Sequence, residues 1–95
     1  MATYNSISKT RHKTLALGII DTLNFTGDHG SVSISNRSSS NDLFVTTDGV
    51  DPAVNGDDSY IVLPGTIDTF GTTAVSGHTQ VKVTAGIAAA YSVFV

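Results

Sequence analysis

The sequence predicts an all-β fold: a single antiparallel β-sandwich or barrel of about seven to eight short strands with a polar N-terminal arm. Three observations carry that expectation. The chain holds 13 Thr, 11 Ser and 10 Val but no Glu and no Trp, and all eight of its acids are Asp. Val and Thr suit a pleated, half-buried surface, whereas helix surfaces draw on Glu, Lys, Gln and Arg. Several segments alternate apolar and polar residues with period two, as strands with one buried face do. Turn dipeptides, among them Asp48-Gly49, Asn55-Gly56 and Pro64-Gly65, separate those segments.

Residues 1–13, MATYNSISKTRHK, are polar and lack a clean period. They read as an extended arm, with residues 14–95 as the sandwich domain. Alone, such an arm frays; in an assembly it orders on a neighbour. From Thr14 the alternation begins, with Leu15, Leu17 and Ile19 on one face, and Leu23 and Phe25 follow Asp21. Gly27 to Gly30 is a turn. Ser31 to Ser35 is the cleanest period-two run, with Val32 and Ile34 inward. Asn36 to Asp42 is a polar tip, and Leu43 to Thr47 is β-branched and aromatic, so the two flanking runs read as a hairpin. Ser59 to Leu63 is an apolar strand stopped by Pro64-Gly65. Ile67 to Phe70 is short, and Thr79 to Thr84 alternates around Val81 and Val83. In Ala88 to Val95 the alanines favour helix, but Tyr91, Val93 and Val95 alternate with Ser92 and Phe94, so it is assigned to strand.

Ninety-five residues make one domain, and a chain this short buries roughly 60–65% of its unfolded surface. Without cysteine it has no disulfide, thiolate metal site or thiol nucleophile. Stability is then expected from partner subunits. The N-terminus lacks the apolar core of a signal peptide, and no run has the roughly 18 apolar residues of a membrane span. The expectation is a soluble chain made in a cytoplasm, with no membrane partner. Charge is uneven: residues 1–14 carry +3 and residues 15–95 carry −6, for a net −3. An acidic body repels a polyanion, so nucleic acid is not the expected partner.

Reactive chemistry finds little support in the residues. His12 lies in the arm, and His29 and His78 sit beside glycines. No G-x-S-x-G elbow, phosphate-binding glycine loop or pair of catalytic carboxylates stands out. The densest acidic stretch is FVTTDGVDPAVNGDD, Phe44 to Asp58, with Asp48, Asp51, Asp57 and Asp58. Its spacing does not fit an EF-hand, which also needs a Glu at its twelfth position. The acids could still converge on Ca²⁺, but each also begins or follows a turn. A glycan site also stays open, although most aromatics fall in strands, where core packing is their ordinary role. The expectation is a non-enzyme with no cofactor.

One segment carries a more specific pattern. Ser31 to Gly65 runs as a strand ending in Asn-Arg, a polar tip, an apolar strand into T-D-G-x-D-P, then G-D-D-x-Y-x-V and Pro-Gly. With the lead-in TLALGIIDTLNFTGDHG and the closing VKVTAGIAAAYSVFV, this resembles small β-sandwich virion structural proteins of tailed bacteriophages, across residues 14–95. The resemblance implies a capsid decoration, minor capsid or tail-associated protein, and transfers no catalytic residue. The function expected is therefore a virion structural protein, foremost a decoration or cement protein that stabilises the assembled capsid lattice. A tail or head-tail connector component, or a glycan-binding host-attachment module, is the alternative. The expected partners are the major capsid protein or other virion proteins and further copies of the chain, as a trimer or higher. The basic residues Lys9, Arg11, His12 and Lys13 are the expected contact with an acidic protein surface.

Overall fold

The computed structural model of the chain describes residues 2–16, 18–71 and 78–95, without the side chains of Asp28 and His78. These residues form nine strands: β1 (Ala2–Ile7), β2 (Thr10–Leu15), β3 (Asp21–His29), β4 (Ser31–Asn36), β5 (Leu43–Thr46), β6 (Tyr60–Val62), β7 (Ile67–Gly71), β8 (His78–Thr84) and β9 (Ala89–Phe94). Two sheets result, with strand orders β1-β3-β8-β5-β6 and β2-β9-β4-β7. The expected all-β class is what the chain adopts, in a sandwich-like arrangement. Among the described residues no helix is long and apolar enough to cross a membrane.

The core comes from alternate residues of both sheets. Val32 and Ile34 on β4 and Tyr91 and Val93 on β9 meet Leu23, Val81, Val83, Leu43 and Val45 from the five-stranded sheet, and all are fully buried. Each buried Val or Leu side chain contributes about 1.5–3 kcal/mol. The same alternation sends Ser33, Ser35, Gln80 and Lys82 to the outer faces.

The structure departs from the sequence reading in four places. Residues 2–13, expected as an extended arm, lie along the edges of the two sheets. Residues 2–7 pair in parallel with β3, and residues 10–15 pair antiparallel with β9. Polar edge strands need only one apolar anchor each, here Ile7 and Leu15 at 1% and 0% exposure, so no alternation announces them. The run beginning at Thr14 is a strand only to Leu15; Gly18, at φ +70°, lies in the connection to β3. Leu17 lies outside the described residues. The turn expected at Gly27 to Gly30 narrows to Gly30, because β3 continues through Gly27 (φ +78°) with a shifted register between Asn24 and His29. A left-handed glycine permits such a bulge. Finally, β4 and β5 are no hairpin: they lie in different sheets, and the tip 37–42 crosses between them.

Among the described residues four edge strands remain, and each has a device against indiscriminate pairing. Strand β1 is irregular, with Ser6 at φ 59° and a register shift before Ile7. Strand β6 is three residues long. Strand β2 turns Arg11 and Lys13 to the inner face, opposite Val93 and Tyr91. Strand β7 turns Asp68 inward, opposite Ile34. The sandwich is closed at both ends by side chains that bridge the sheets. Lys13 Nζ lies 4.4 Å over the Tyr4 ring at one end, and the Tyr60 and Phe70 rings are 4.9 Å apart at the other.

The placement of β1 makes a direct prediction. Ile7→Ala costs about 2–5 kcal/mol, the range for emptying a buried large aliphatic site. Urea unfolding measures it; a change below about 0.5 kcal/mol, as at exposed sites, would return residues 1–13 to a dispensable arm.

Candidate functional site

The four basic residues singled out from sequence come together on and beside β2, but on two faces. Lys9 is exposed in the two-residue link between β1 and β2, and its carbonyl accepts a hydrogen bond from Val95 N at 2.9 Å. Arg11 and Lys13 lean inward at the rim, half-buried. His12 points outward, with Nδ1 2.5 Å from Ser92 Oγ and its ring edge-on to Phe94. Antiparallel pairing with β9 fixes this division, because His12 faces Ser92 while Arg11 and Lys13 face core residues.

Behind β2 lies a buried polar tie that sequence reasoning missed. Tyr91 on β9 is fully buried, and its hydroxyl donates to Asp21 Oδ2 on β3 at 2.8 Å, from one sheet to the other. Burial pushes the Asp21 carboxyl above its ordinary range, and the Tyr91 hydrogen bond and the Lys13 charge pull it part of the way back. Burial first, then Asp21, push the Tyr91 hydroxyl well above its ordinary value. The partners are 70 positions apart, so no local pattern could reveal them. A second tie sits toward the opposite end. Asn36 Nδ2 donates to Val62 O at 2.9 Å and to Asn41 O at 2.7 Å, and its Oδ1 accepts from Ser38 N. The one available signal was its place, an Asn closing a strand before a polar tip.

The opposite end, β6 and β7, has a different character. Tyr60, Ile61, Leu63 and Ile67 are each about half exposed or more, at 56, 48, 57 and 62%. Asp68 lies half-buried at the rim, and Asp48 and Asp58 line a small cleft of about 130 Å³ against Tyr60. The two ends of the sandwich thus differ in sign: basic at β2, acidic and apolar at β6 and β7.

The acidic loop between β5 and β6 folds back over the outer face of its sheet. Lys82 Nζ pairs with Asp51 Oδ1 at 2.8 Å, and Pro52 is buried. Phe44 points away from the core yet is only 3% exposed, sharing a cleft with Val54. Asp48 Oδ1 accepts from Val50 N at 3.1 Å, which makes it a turn residue. Among the described residues no three His or Asp side chains gather where a metal ion could be held.

Two arrangements remain with chemical potential. His12 and Ser92 are paired, but Ser92 is 1% exposed, so its hydroxyl has no approach to a substrate. A polar cleft of about 500 Å³ lies between Asn24, Gln80, Thr79 and Asp48. There Gln80 donates to Asn24, and Asn24 to Asn5, both at 2.8 Å. Phe25 lines this cleft at 8% exposure, so it offers no open ring for stacking.

These assignments predict two responses. Folding raises the Asp21 pKa, so the folded state binds that proton more tightly than the unfolded chain. Its stabilising contribution is complete below the unfolded value of about 3.9 and is lost as pH rises through the higher folded value. In thermal melts, the Tm of the wild type minus that of Asp21→Asn therefore falls as pH rises from about 4 toward neutrality. A flat difference would mean that the carboxyl does not titrate differently on folding. Ca²⁺ at millimolar concentration leaves the wild-type Tm unchanged, because Asp48 and Asp51 are already engaged; an upward shift would show that the loop acids gather around the ion.

No protein-family model matches the chain, and no curated protein matches it.

Proposed function

We propose that the chain is a non-enzymatic virion structural protein of a tailed bacteriophage, foremost a capsid decoration or minor capsid protein that binds the assembled lattice. The observation that carries this reading is the pair of chemically opposed edges on one small sandwich, basic at β2 and acidic and apolar at β6 and β7. Its buried polar groups are spent on internal ties, among them Tyr91 with Asp21 and Asn36 with Val62. What it offers outward is edges, charge and exposed apolar side chains. The resemblance in the segment Ser31 to Gly65 supports the same reading. A protein that binds only the assembled lattice stabilises that lattice by mass action. Lys9, in the link before β2, and Arg11, His12 and Lys13 on it form the binding surface, and its target is an acidic protein surface on the major capsid protein, another virion protein or a further copy of the chain. A tail or head-tail connector component would use the same features at lower copy number.

A second reading, a glycan-binding host-attachment module, is favoured by the polar cleft beside Asn24, Gln80 and Asp48, whose side chains can hydrogen-bond sugar hydroxyls. Glycan-array binding abolished by Asn24→Ala would select it over the first.

Removing the N-terminal residues is not an informative test, because Ile7 and Leu15 belong to the core. Point variants are. Purified chain added to parent particles stripped of it is expected to restore hundreds of copies per particle, the scale of a capsid lattice. Lys9→Glu, an exposed change, is expected to leave the Tm within about 1 °C and lower occupancy several-fold at moderate salt. Undiminished occupancy would remove the basic strand from the contact. Failure of the wild type to bind particles at any concentration would remove the reading itself.

A further inference from the structure

We propose that the acidic partner of strand β2 is the β7 edge of a second copy of this chain, so that copies join head to tail through their four-stranded sheets. The proposal rests on the reading of the chain as a structural subunit and names the partner of its basic strand.

Strand direction supports the junction first. In the order β2-β9-β4-β7 every neighbouring pair is antiparallel, so β2 and β7 run in opposite directions. A second copy added with the same face and the same sense therefore brings its β2 antiparallel to β7. The lengths suit: β2 has six residues and Ile67 to Phe70 of β7 supply four, or about 13 Å of shared edge. Among the described residues, each of these strands has a single strand neighbour, β9 for β2 and β4 for β7.

Charge then selects the pairing. Arg11 and Lys13 lie on the inner face of β2, and Asp68 lies on the inner face of β7. A continued sheet keeps its faces, so these residues meet as cross-strand neighbours of opposite sign. Pairing β2 with β2 would set cations against cations, and β7 with β7 would set Asp68 against itself. Inward charges guard an edge against its own kind, and here they admit only the unlike edge. On the outer face the same junction covers Ile67, which is 62% exposed, with Thr10, His12 or Thr14 of the neighbour. The other sheet cannot carry the contact equally, since β6 has three residues and β1 is bulged. Such a junction is heterologous, and the rotation between copies decides between a closed ring and a filament.

Sedimentation of the purified chain, without particles, tests this. Concentration-dependent association that weakens with salt is expected for the wild type. Asp68→Lys and Lys13→Asp should each weaken association about tenfold or more, because each sets like charges across the junction. Arg11→Asp stands beside Lys13→Asp in case the loss of the Lys13–Tyr4 contact unfolds the chain. An equimolar mixture of the Asp68→Lys copy with either β2 variant should recover association to within a few-fold of wild type. A wild type that stays monomeric at millimolar concentration and low salt overturns the proposal. So does association insensitive to Asp68→Lys, or a mixture that does not recover. None of these results depends on particle binding, so the failure of this inference is distinct from failure of the proposed function.

Discussion

A buried tyrosine hydroxyl must find an acceptor, and in this core the acceptor is on the opposite sheet. Tyr91 projects from β9 and Asp21 from β3, and their hydrogen bond crosses the interior. Removing either partner would strand a buried polar group at about 1–3 kcal/mol or more. Apolar packing alone tolerates small slips between sheets, whereas a directional bond permits one alignment. Asn36 imposes a comparable demand through Val62 O. With one tie toward each end, the edge strands of the two sheets are brought together in pairs, β1 with β2 and β6 with β7. Lys13 can then reach over Tyr4, and Tyr60 can meet Phe70, only because the sheets are held in that alignment.

The edges follow from the two-sheet arrangement. Neither sheet closes on itself, so backbone donors and acceptors are left along the rims. Short strands, a bulge and inward charges keep those rims from pairing at random. Such devices differ in selectivity. A bulge or a short strand discourages every partner, while a charge discourages only like charge. The five-stranded sheet uses the first kind at β1 and β6, and the four-stranded sheet uses the second at β2 and β7. The four-stranded sheet is therefore the one with selective rims, and its basic rim is the strand on which the proposed function rests.

What was legible in the sequence was whatever repeats locally. Val32 and Ile34, Val81 and Val83, and Tyr91 and Val93 alternate visibly, and each pair lies in the core. The N-terminal strands were illegible because β1 and β2 carry Thr, Asn, Ser, Lys and Arg at most positions and bury mainly Ile7 and Leu15. Their strand state comes from pairing with β3 and β9, many residues away, which no window along the chain contains. The reading of the two runs flanking Asn36 to Asp42 as a hairpin failed for a related reason. A polar tip looks the same whether its strands pair or separate, and Asn36 decides the matter by bonding across the sheets. The basic residues were found by charge alone, but their division between two faces needed the register with β9.

The residues that carry the resemblance have structural work in this chain. Asp48 closes a turn, Asp51 pins the loop to Lys82, and Asn36 joins tip, strand and Pro-Gly turn. A Cβ at Gly56 would come within 3.1 Å of Ala53, a tight contact to which Ala53 would have to yield by a few tenths of an ångström. Tyr60 closes the seam against Phe70, and Val62 is fully buried. A pattern made of such residues transmits a way of folding a loop over a sheet, covering Phe44 on a face that would otherwise be open. On the proposed reading, binding specificity resides elsewhere, in residues free to change without unfolding the chain. The exposed Lys9 and the rim residues Arg11 and Asp68 meet that condition, and the loop acids Asp48 and Asp51 do not.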